Sequence, residues 1–378
     1  MKRNGIFSAI LGCAFALLFL FRSAELSDGI RRGLTLCSYS VIPSLFPFMA
    51  LAGFLAQSRA SVFLSSLFLP LTKLLKLPKA AGSLLFSSLI GGYPSAAKSI
   101  ADFVRNGVLD KKTGERMLCF CVNAGPPFLI GALGIGLFGS AEIGLFLFSA
   151  QTLSALTIAF VLSIFSSAPK ESGIAAQNFG KTSAVLIRSV TKAAESCFQM
   201  SAFVVLICGV TDLILDLPTL TFLKENPLWN AVFTGFFEVT AGCFSCGNIP
   251  ALAAVICGGI ASFSGLSIMF QIAAITDGSG ISLFPFLLSR PIHALLTAGI
   301  LRVLLCFSEE SAAVFSSRNG ALEGLLSASA PAAVSLLCMA ALFLLSLVPV
   351  REAERENSGR KSKKFFIFWR RKKKKDLL

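Results

Sequence analysis

Two ionisable residues stand where the surrounding sequence is least suited to carry charge. Glu238 lies inside Gly235-Phe236-Phe237-Glu238-Val239-Thr240-Ala241-Gly242, and Lys98 follows the tip Gly91-Gly92-Tyr93-Pro94 by a few residues. A carboxylate at a bilayer centre costs at least about 2.5 kcal/mol even on insertion scales, so a charge kept there marks an ion or solute pathway by default. A helix that starts after a Gly-Pro tip presents free N–H groups and the positive end of its dipole, and a Lys beside it adds a full charge. Together these suit a carboxylate-bearing anion. Ser95, Asn123, Thr240, Ser267 and Gln271 are neutral donors and acceptors that can hold a polar ligand without the cost of a charge. Each alone serves equally to bond helices together, but all fall at or beside expected interruptions of apolar runs. The plainer alternatives are a Lys98 that snorkels to the interface and a Glu238 that is only a hydrogen-bonded structural carboxylate.

Other chemistry is poorly supplied. Eleven Cys are scattered along apolar stretches without the spacing of a disulfide framework, and His293 is the single His, so a metal finds too few ligands. Cys243-Phe244-Ser245-Cys246 has C-x-x-C spacing without a redox context and reads as packing. No phosphate loop, zinc-protease helix or Ser/His/Asp set is present. Catalytic residues, metal and cofactor are therefore expected to be absent, an enzyme is not the reading, and the identity of a coupling ion is left open.

The elements that must position these residues are membrane helices. Of 378 residues, 54% are hydrophobic and 14% charged, and mean hydropathy is +0.77. A soluble domain carries about a quarter charged residues. The fold class expected is an all-α polytopic membrane protein. Lys2-Arg3 precede an apolar run from Ile6 to Phe21, read as a first membrane helix with its start in the cytoplasm in preference to a signal peptide, because more spans follow and no clean cleavage site is evident. The run from Gly33 to Ala56 is kinked by Pro43 and Pro47, and Val62 to Leu75 is a shorter run near the lower limit of spanning length.

Ala80 to Ile90 is only half a hydrocarbon core long as helix, and Ser95 to Asn106 is again short. Two half-length helices around a Gly/Pro tip predict a re-entrant hairpin. Met117 to Phe138 is broken at Asn123-Ala124-Gly125-Pro126-Pro127, and Ile143 to Phe165 is a plain span. In the second part, the Gly-bearing stretch 235–242 and the break at Ser262-Phe263-Ser264-Gly265-Leu266-Ser267 repeat that order. Broken backbone at membrane depth survives only when buried in protein or lining a cavity, and paired interruptions in two halves point to a transporter site.

The chain thus divides into a first membrane half (1–165), a polar connector (166–196) whose part from Ser183 to Ser196 reads as an amphipathic interfacial helix, a second half (197–349) with a last span at Ala321 to Val348, and a basic tail (350–378). Residues 351–378 hold twelve basic and four acidic side chains, a net +8 of the chain's +14. The positive-inside rule places the tail in the cytoplasm, and its Phe365-Phe366-Ile367-Phe368-Trp369 patch between basic runs favours an anionic leaflet rather than nucleic acid. A homo-oligomer stays open.

Five ordered words carry a family resemblance: Ile42-Pro43-Ser44-Leu45-Phe46-Pro47-Phe48, Gly91-Gly92-Tyr93-Pro94-Ser95-Ala96-Ala97-Lys98, Phe120-Cys121-Val122-Asn123-Ala124-Gly125-Pro126, the run from Gly235 to Gly242, and Phe263-Ser264-Gly265-Leu266-Ser267 with Gln271. The chain resembles the YlbJ-type (SpoVV) sporulation integral membrane proteins, of the nucleoside-recognition or Gate-domain group. The resemblance implies a fold similar to concentrative nucleoside transporters, with two re-entrant hairpins meeting at a substrate site. It further implies export of dipicolinate, a small aromatic dianion, from the mother cell across the outer forespore membrane during endospore formation. The expected function is transport of a small carboxylate in a bacterial cell membrane, with Lys98, Ser95, Asn123, Glu238, Thr240, Ser267 and Gln271 as substrate-binding residues. On that reading Lys98 and Glu238 face one pocket with Asn123 and Gln271. The alternatives are a carrier of nucleosides or another small solute, and a non-transporting scaffold for spore-envelope assembly.

Overall fold

The computed structural model describes residues 2–58, 60–167, 182–248 and 252–306. The expected last span, the basic tail and the middle of the connector lie outside the described residues. Within them the chain is helical, with no strand. In order come α1 (Lys2–Phe21), α2 (Ser23–Leu36), a wider π-helical turn (Cys37–Val41), α3 (Ile42–Gln57), α4 (Ala60–Leu67), α5 (Leu69–Leu74), α6 (Ala81–Arg105), α7 (Lys111–Cys121), a π-helical segment (Pro127–Leu137), α8 (Ala141–Ile164), α9 (Thr182–Leu215), α10 (Thr221–Glu225), α11 (Pro227–Phe237), α12 (Val239–Ser245), α13 (Ala253–Phe263), α14 (Gly265–Thr276) and α15 (Phe284–Leu305). Five stretches among the described residues are long and apolar enough to cross a membrane: Ser23–Gln57, Ala141–Ile164, Thr182–Leu215, Ala253–Thr276 and Phe284–Leu305. This is a polytopic helical integral membrane protein, as the composition predicts.

Helix starts follow the sequence. Asp110 accepts from the Thr113 N–H ahead of α7, and Ser140 accepts from the Ile143 N–H ahead of α8. Asn226 accepts from the Leu228 N–H, with Pro227 as first residue of α11. Each takes up a donor that the first turn leaves free. One element differs from expectation. The stretch from Ser183 to Ser196 is not a separate interfacial helix but the first part of α9, a single helix of 34 residues. Val185, Ser189, Ala193 and Ala194 are buried there, on a part of α9 that packs beside α3.

Hydrogen bonds collect one set of helix ends into a layer. The Arg105 guanidinium donates to the Ile275 and Asp277 carbonyls, at 2.7 and 2.6 Å. The Ser282 N–H donates to the Glu115 carboxylate, Arg116 donates to the Lys76 carbonyl, and the Lys76 ammonium donates to the Ser166 carbonyl. Both ends of α6 therefore adjoin the same layer. At the far end of α9, Arg32 pairs with Asp212 and Lys224 with Asp216. The first layer carries Lys73, Lys76, Lys79, Arg105, Lys111, Lys112 and Arg116 with Asp102, Asp110, Glu115 and Asp277, while the second carries Arg22, Arg31, Arg32 and Lys224 with Glu25, Asp28, Asp212, Asp216 and Glu225. The first layer is the richer in Lys and Arg, the bias that the positive-inside rule associates with a cytoplasmic face.

Four interruptions lie between the layers. In α6, Gly92 has φ +73° and ψ −172°, a conformation open to Gly and strained for any residue with a Cβ. Residues 122–125 separate α7 from the π-helical segment. Glu238 is extended between α11 and α12 (φ −138°, ψ 118°), and Ser264 is left-handed between α13 and α14 (φ 75°). The breaks meet in pairs. A Cβ on Gly125 would lie 2.9 Å from the Ile90 carbonyl oxygen, and one on Gly265 would lie 3.0 Å from the Gly235 carbonyl oxygen.

Each break frees peptide groups that lipid cannot satisfy. Side chains from other elements take them up. Arg290 of α15 is fully buried and donates to the carbonyls of Cys119 and Val122 at the end of α7, at 2.9 Å for Val122, and to the Ser264 hydroxyl at 3.5 Å. Its guanidinium also bonds the Ser289 hydroxyl and lies 4.7 Å from the centre of the Phe286 ring. The Tyr93 hydroxyl, beside the first break, donates to the Ala261 carbonyl near the end of α13. The Glu238 carboxylate accepts from the Ala241 N–H at 2.6 Å and so caps α12. Behind these, Thr297 of α15 bonds Ser154 of α8 at 2.6 Å and Ser262 of α13 at 2.8 Å.

Two predictions follow from this architecture. Arg290→Lys keeps the charge but replaces a planar fork by a single ammonium, so one or more carbonyls lose their partner at roughly 1–3 kcal/mol each. Thermal unfolding of the solubilised variant is expected well below that of the parent chain, and an unchanged midpoint would show that the guanidinium does not hold the breaks. A membrane-impermeant thiol reagent applied to intact cells should label Glu225→Cys above the parent background. Gly107→Cys should be labelled only after permeabilisation, and the reverse pattern would invert the orientation.

Candidate functional site

Two hollows adjoin the interruptions. The larger is a cleft of about 720 Å³ between α3, the two arms of α6 and the first third of α9. Its walls are unusually polar for the interior of so apolar a chain: Ser83, Ser87, Ser95, Ser99, Ser189 and Ser196 line it, with Gln57 and Asn106. Three cations reach it, Lys98 from α6 and Arg188 and Lys192 from α9, against one carboxylate, Asp102. That carboxylate is already paired, with Arg105 at 3.2 Å. Among the described residues none of the three cations forms an ion pair.

The smaller hollow, about 20 Å³, lies where the four breaks converge. Gly91, Gly92, Tyr93 and Pro94 come to it from the first break, Gly125 and Phe128 from the second, Glu238, Val239 and Thr240 from the third, and Ile268 from just beyond the fourth. All its lining residues are buried. Its size suffices for about one water molecule. Only a thin wall divides the hollows. Gly91 lines the small one, and a Cβ placed on it would lie 2.6 Å from the Cβ of Ser95 and 3.2 Å from that of Ala52, both of which line the cleft. On α3, Leu45 faces the small cavity and Met49, one turn on, faces the cleft.

The structure distributes the expected substrate-binding residues over this system. Ser95 and Lys98, both half-buried, line the cleft. Glu238 and Thr240, both buried, line the small cavity, where the Glu238 carboxylate accepts from the Ala241 N–H. Lys98 and Glu238 therefore do not share one pocket, contrary to expectation. The bend at Gly92 is the reason: residues at the tip face α12, whereas Lys98, more than a turn later, faces α9.

Asn123 lies in the second break and lines neither hollow. Its amide nitrogen donates to the Phe120 carbonyl at 2.7 Å, while its buried Oδ1 has no hydrogen-bond partner. Gln271 and Ser267 are buried on α14 and bond one another at 3.3 Å, flanking Ile268 without lining the cavity themselves.

Residues outside the expected set carry much of the geometry. Arg290 joins the second break to the fourth, and Tyr93 joins the first to the fourth. A signal for Arg290 is present in the sequence, since an Arg in the apolar run from Ile281 to Leu305 is an intramembrane charge in need of partners. Arg188 and Lys192 are harder to find, because a basic helix start reads as interfacial until α3 is seen to pack beside it. Cys243 and Cys246 are buried fillers whose thiols donate to the Cys257 and Gly242 carbonyls.

Comparison with known proteins agrees with the words that the sequence carries. The chain is 23% identical over 333 residues to the sporulation integral membrane protein YlbJ of Bacillus subtilis (strain 168), a match covering 76% of this chain and 81% of that protein. No protein-family model matches the chain, and no solved structure does. Its apolar crossing helices and this likeness together make the chain an integral membrane protein and a relative of the YlbJ-type sporulation proteins.

Proposed function

We propose that this chain is a carrier that moves a small carboxylate, dipicolinate, out of the mother cell during endospore formation, across the outer forespore membrane. The observation that carries the reading is the 720 Å³ cleft, polar and net cationic, that runs down to the broken helices. Its volume falls in the range that encloses small-molecule ligands. A neutral solute would have little use for Lys98 half-buried on its wall, and a scaffold would have no use for the cleft. The relative's name places it in sporulation, where a small aromatic dianion is the cargo that the family resemblance implies.

The arrangement of α6 supports the re-entrant reading. Ser83 and Asn106 line the same cleft, yet a straight helix would hold them about 35 Å apart. With both ends of α6 at the cytoplasmic layer, its tip reaches the membrane interior and returns. On the opposite side α11 and α12 press together at Gly235 and Gly242, with Glu238 at their junction. Two such hairpins from opposite faces give a carrier a tip on each side of its solute. Asn106 and Gln57, near the cytoplasmic ends of α6 and α3, line the cleft, so the solute enters from the mother-cell side. In this reading Lys98 and Ser95 bind the carboxylate, while Glu238 and Thr240 hold the tips against each other at the floor.

Uptake by proteoliposomes tests the reading. Wild-type protein is expected to accumulate dipicolinate, with a dependence on an imposed proton or sodium gradient that identifies the coupling ion. Lys98→Ala should reduce uptake at least about tenfold, since a charge-assisted hydrogen bond contributes roughly 1.5–3 kcal/mol. Glu238→Gln should block turnover while leaving dipicolinate binding to the cleft intact, because it acts at the floor. Wild-type levels of uptake in both variants would remove the site assignment, and no uptake by the wild type would remove the carrier.

A further inference from the structure

The segment of α9 that lines the cleft has a pattern the carrier reading does not yet use. Arg188 and Lys192 are four residues apart, so they project from one face of the helix, and Ser189 and Ser196 extend the same lining inward. From Arg188 to Ser196 that face runs about 12 Å, from the exposed guanidinium at the cytoplasmic end to half-buried Lys192 and on to Ser196. Lys98 projects from α6 on the other wall. Lys192 lies within electrostatic reach of both Lys98 and Arg188, and of the carboxylates of Asp102 and Glu195. Three cations in a partly desolvated cleft repel one another more than they would in water. The arrangement is relieved when an anion enters between them.

We propose that Arg188 and Lys192 are ligand-binding residues that determine the cleft's specificity: they take one acidic group of the bound anion on the α9 wall while Lys98 takes another on the α6 wall. The proposal rests on the carrier reading and deepens it by naming the second wall. The guanidinium of Arg188, at the mouth, presents a planar fork suited to a carboxylate. Lys192, one turn deeper, offers a point charge that can follow the group inward. An anion with two acidic groups then ties α9 to α6, whereas one with a single group engages only one wall. Selectivity for the doubly charged ligand arises from the spacing of the walls, and removing the cations of α9 removes the selectivity without emptying the cleft.

The test uses the full chain in nanodiscs of zwitterionic lipid, with binding of pyridine-2,6-dicarboxylate and pyridine-2-carboxylate measured by equilibrium dialysis. Arg188→Gln and Lys192→Gln are each expected to weaken the dicarboxylate about tenfold and to change the monocarboxylate far less, so that the double variant loses the preference between the two. Arg188→Lys and Lys192→Arg should keep the preference within about threefold, which a general loss of structure would not do. Wild-type protein that binds the dicarboxylate, with an unchanged preference in the double variant, overturns this proposal and leaves the carrier reading intact. Wild-type protein that binds neither probe overturns both. A third arm separates ligand from lipid: if phosphatidylglycerol in the nanodisc displaces the dicarboxylate from the wild type down to the level of the double variant, the two cations serve a lipid headgroup and the proposal fails.

Discussion

A peptide carbonyl released by a broken helix has no water to turn to inside a bilayer, and in this protein one guanidinium answers for several of them. Arg290 is held without solvent contact by the carbonyls of Cys119 and Val122 and the hydroxyls of Ser264 and Ser289. Burying an Arg at this depth costs at least about 2.5–3.5 kcal/mol on insertion scales, and the unpaired carbonyls would cost about 1–3 kcal/mol each. The two liabilities cancel only when they are placed together. The guanidinium thereby fixes how far α7 can lie from the junction of α13 and α14, and so sets the frame in which the other breaks meet.

That frame explains why the hollows lie where they do. With the second and fourth breaks tied by Arg290 and the first tied to α13 by Tyr93, the tip of α6 is pressed against the start of α12. Helix dipoles and spare N–H groups at that junction are met largely by protein, with Glu238 taking the first turn of α12. Apart from the Asn123 Oδ1 at the second break, polar groups that can meet a solute lie one layer outward, on the cations and serine oxygens of the cleft. The interruptions thus shape and floor the cleft, while helices α3, α6 and α9 supply most of the groups that can meet a solute.

The class of fold and the positions of the interruptions were legible in the sequence because both are local. Gly, Pro, Asn and Ser within apolar runs mark breaks at Gly92, Asn123, Glu238 and Ser264 wherever the rest of the chain goes. Which break touches which is tertiary, and no period or composition encodes that Tyr93 reaches Ala261. The same limit separates Lys98 from Glu238: both are conspicuous as charges, yet a single positive φ at Gly92 turns them to different walls. The start of α9 illustrates the converse. Its basic and hydroxyl residues suit a membrane surface and a cleft equally well, and only the packing of α3 alongside decides between them.

The hollow at the meeting of the breaks admits a single water and is bounded on every side by buried residues. A conduit of that bore cannot pass a ring-sized solute by diffusion. On the proposed carrier function, passage requires the tips to part, and the wall at Gly91 and Ser95 to move with them, once for every molecule carried. Flux through a carrier of this design would saturate with concentration and follow the pace of a structural rearrangement rather than that of an open pore. A carrier built this way would leave a gradient across the membrane largely intact while it moves its cargo.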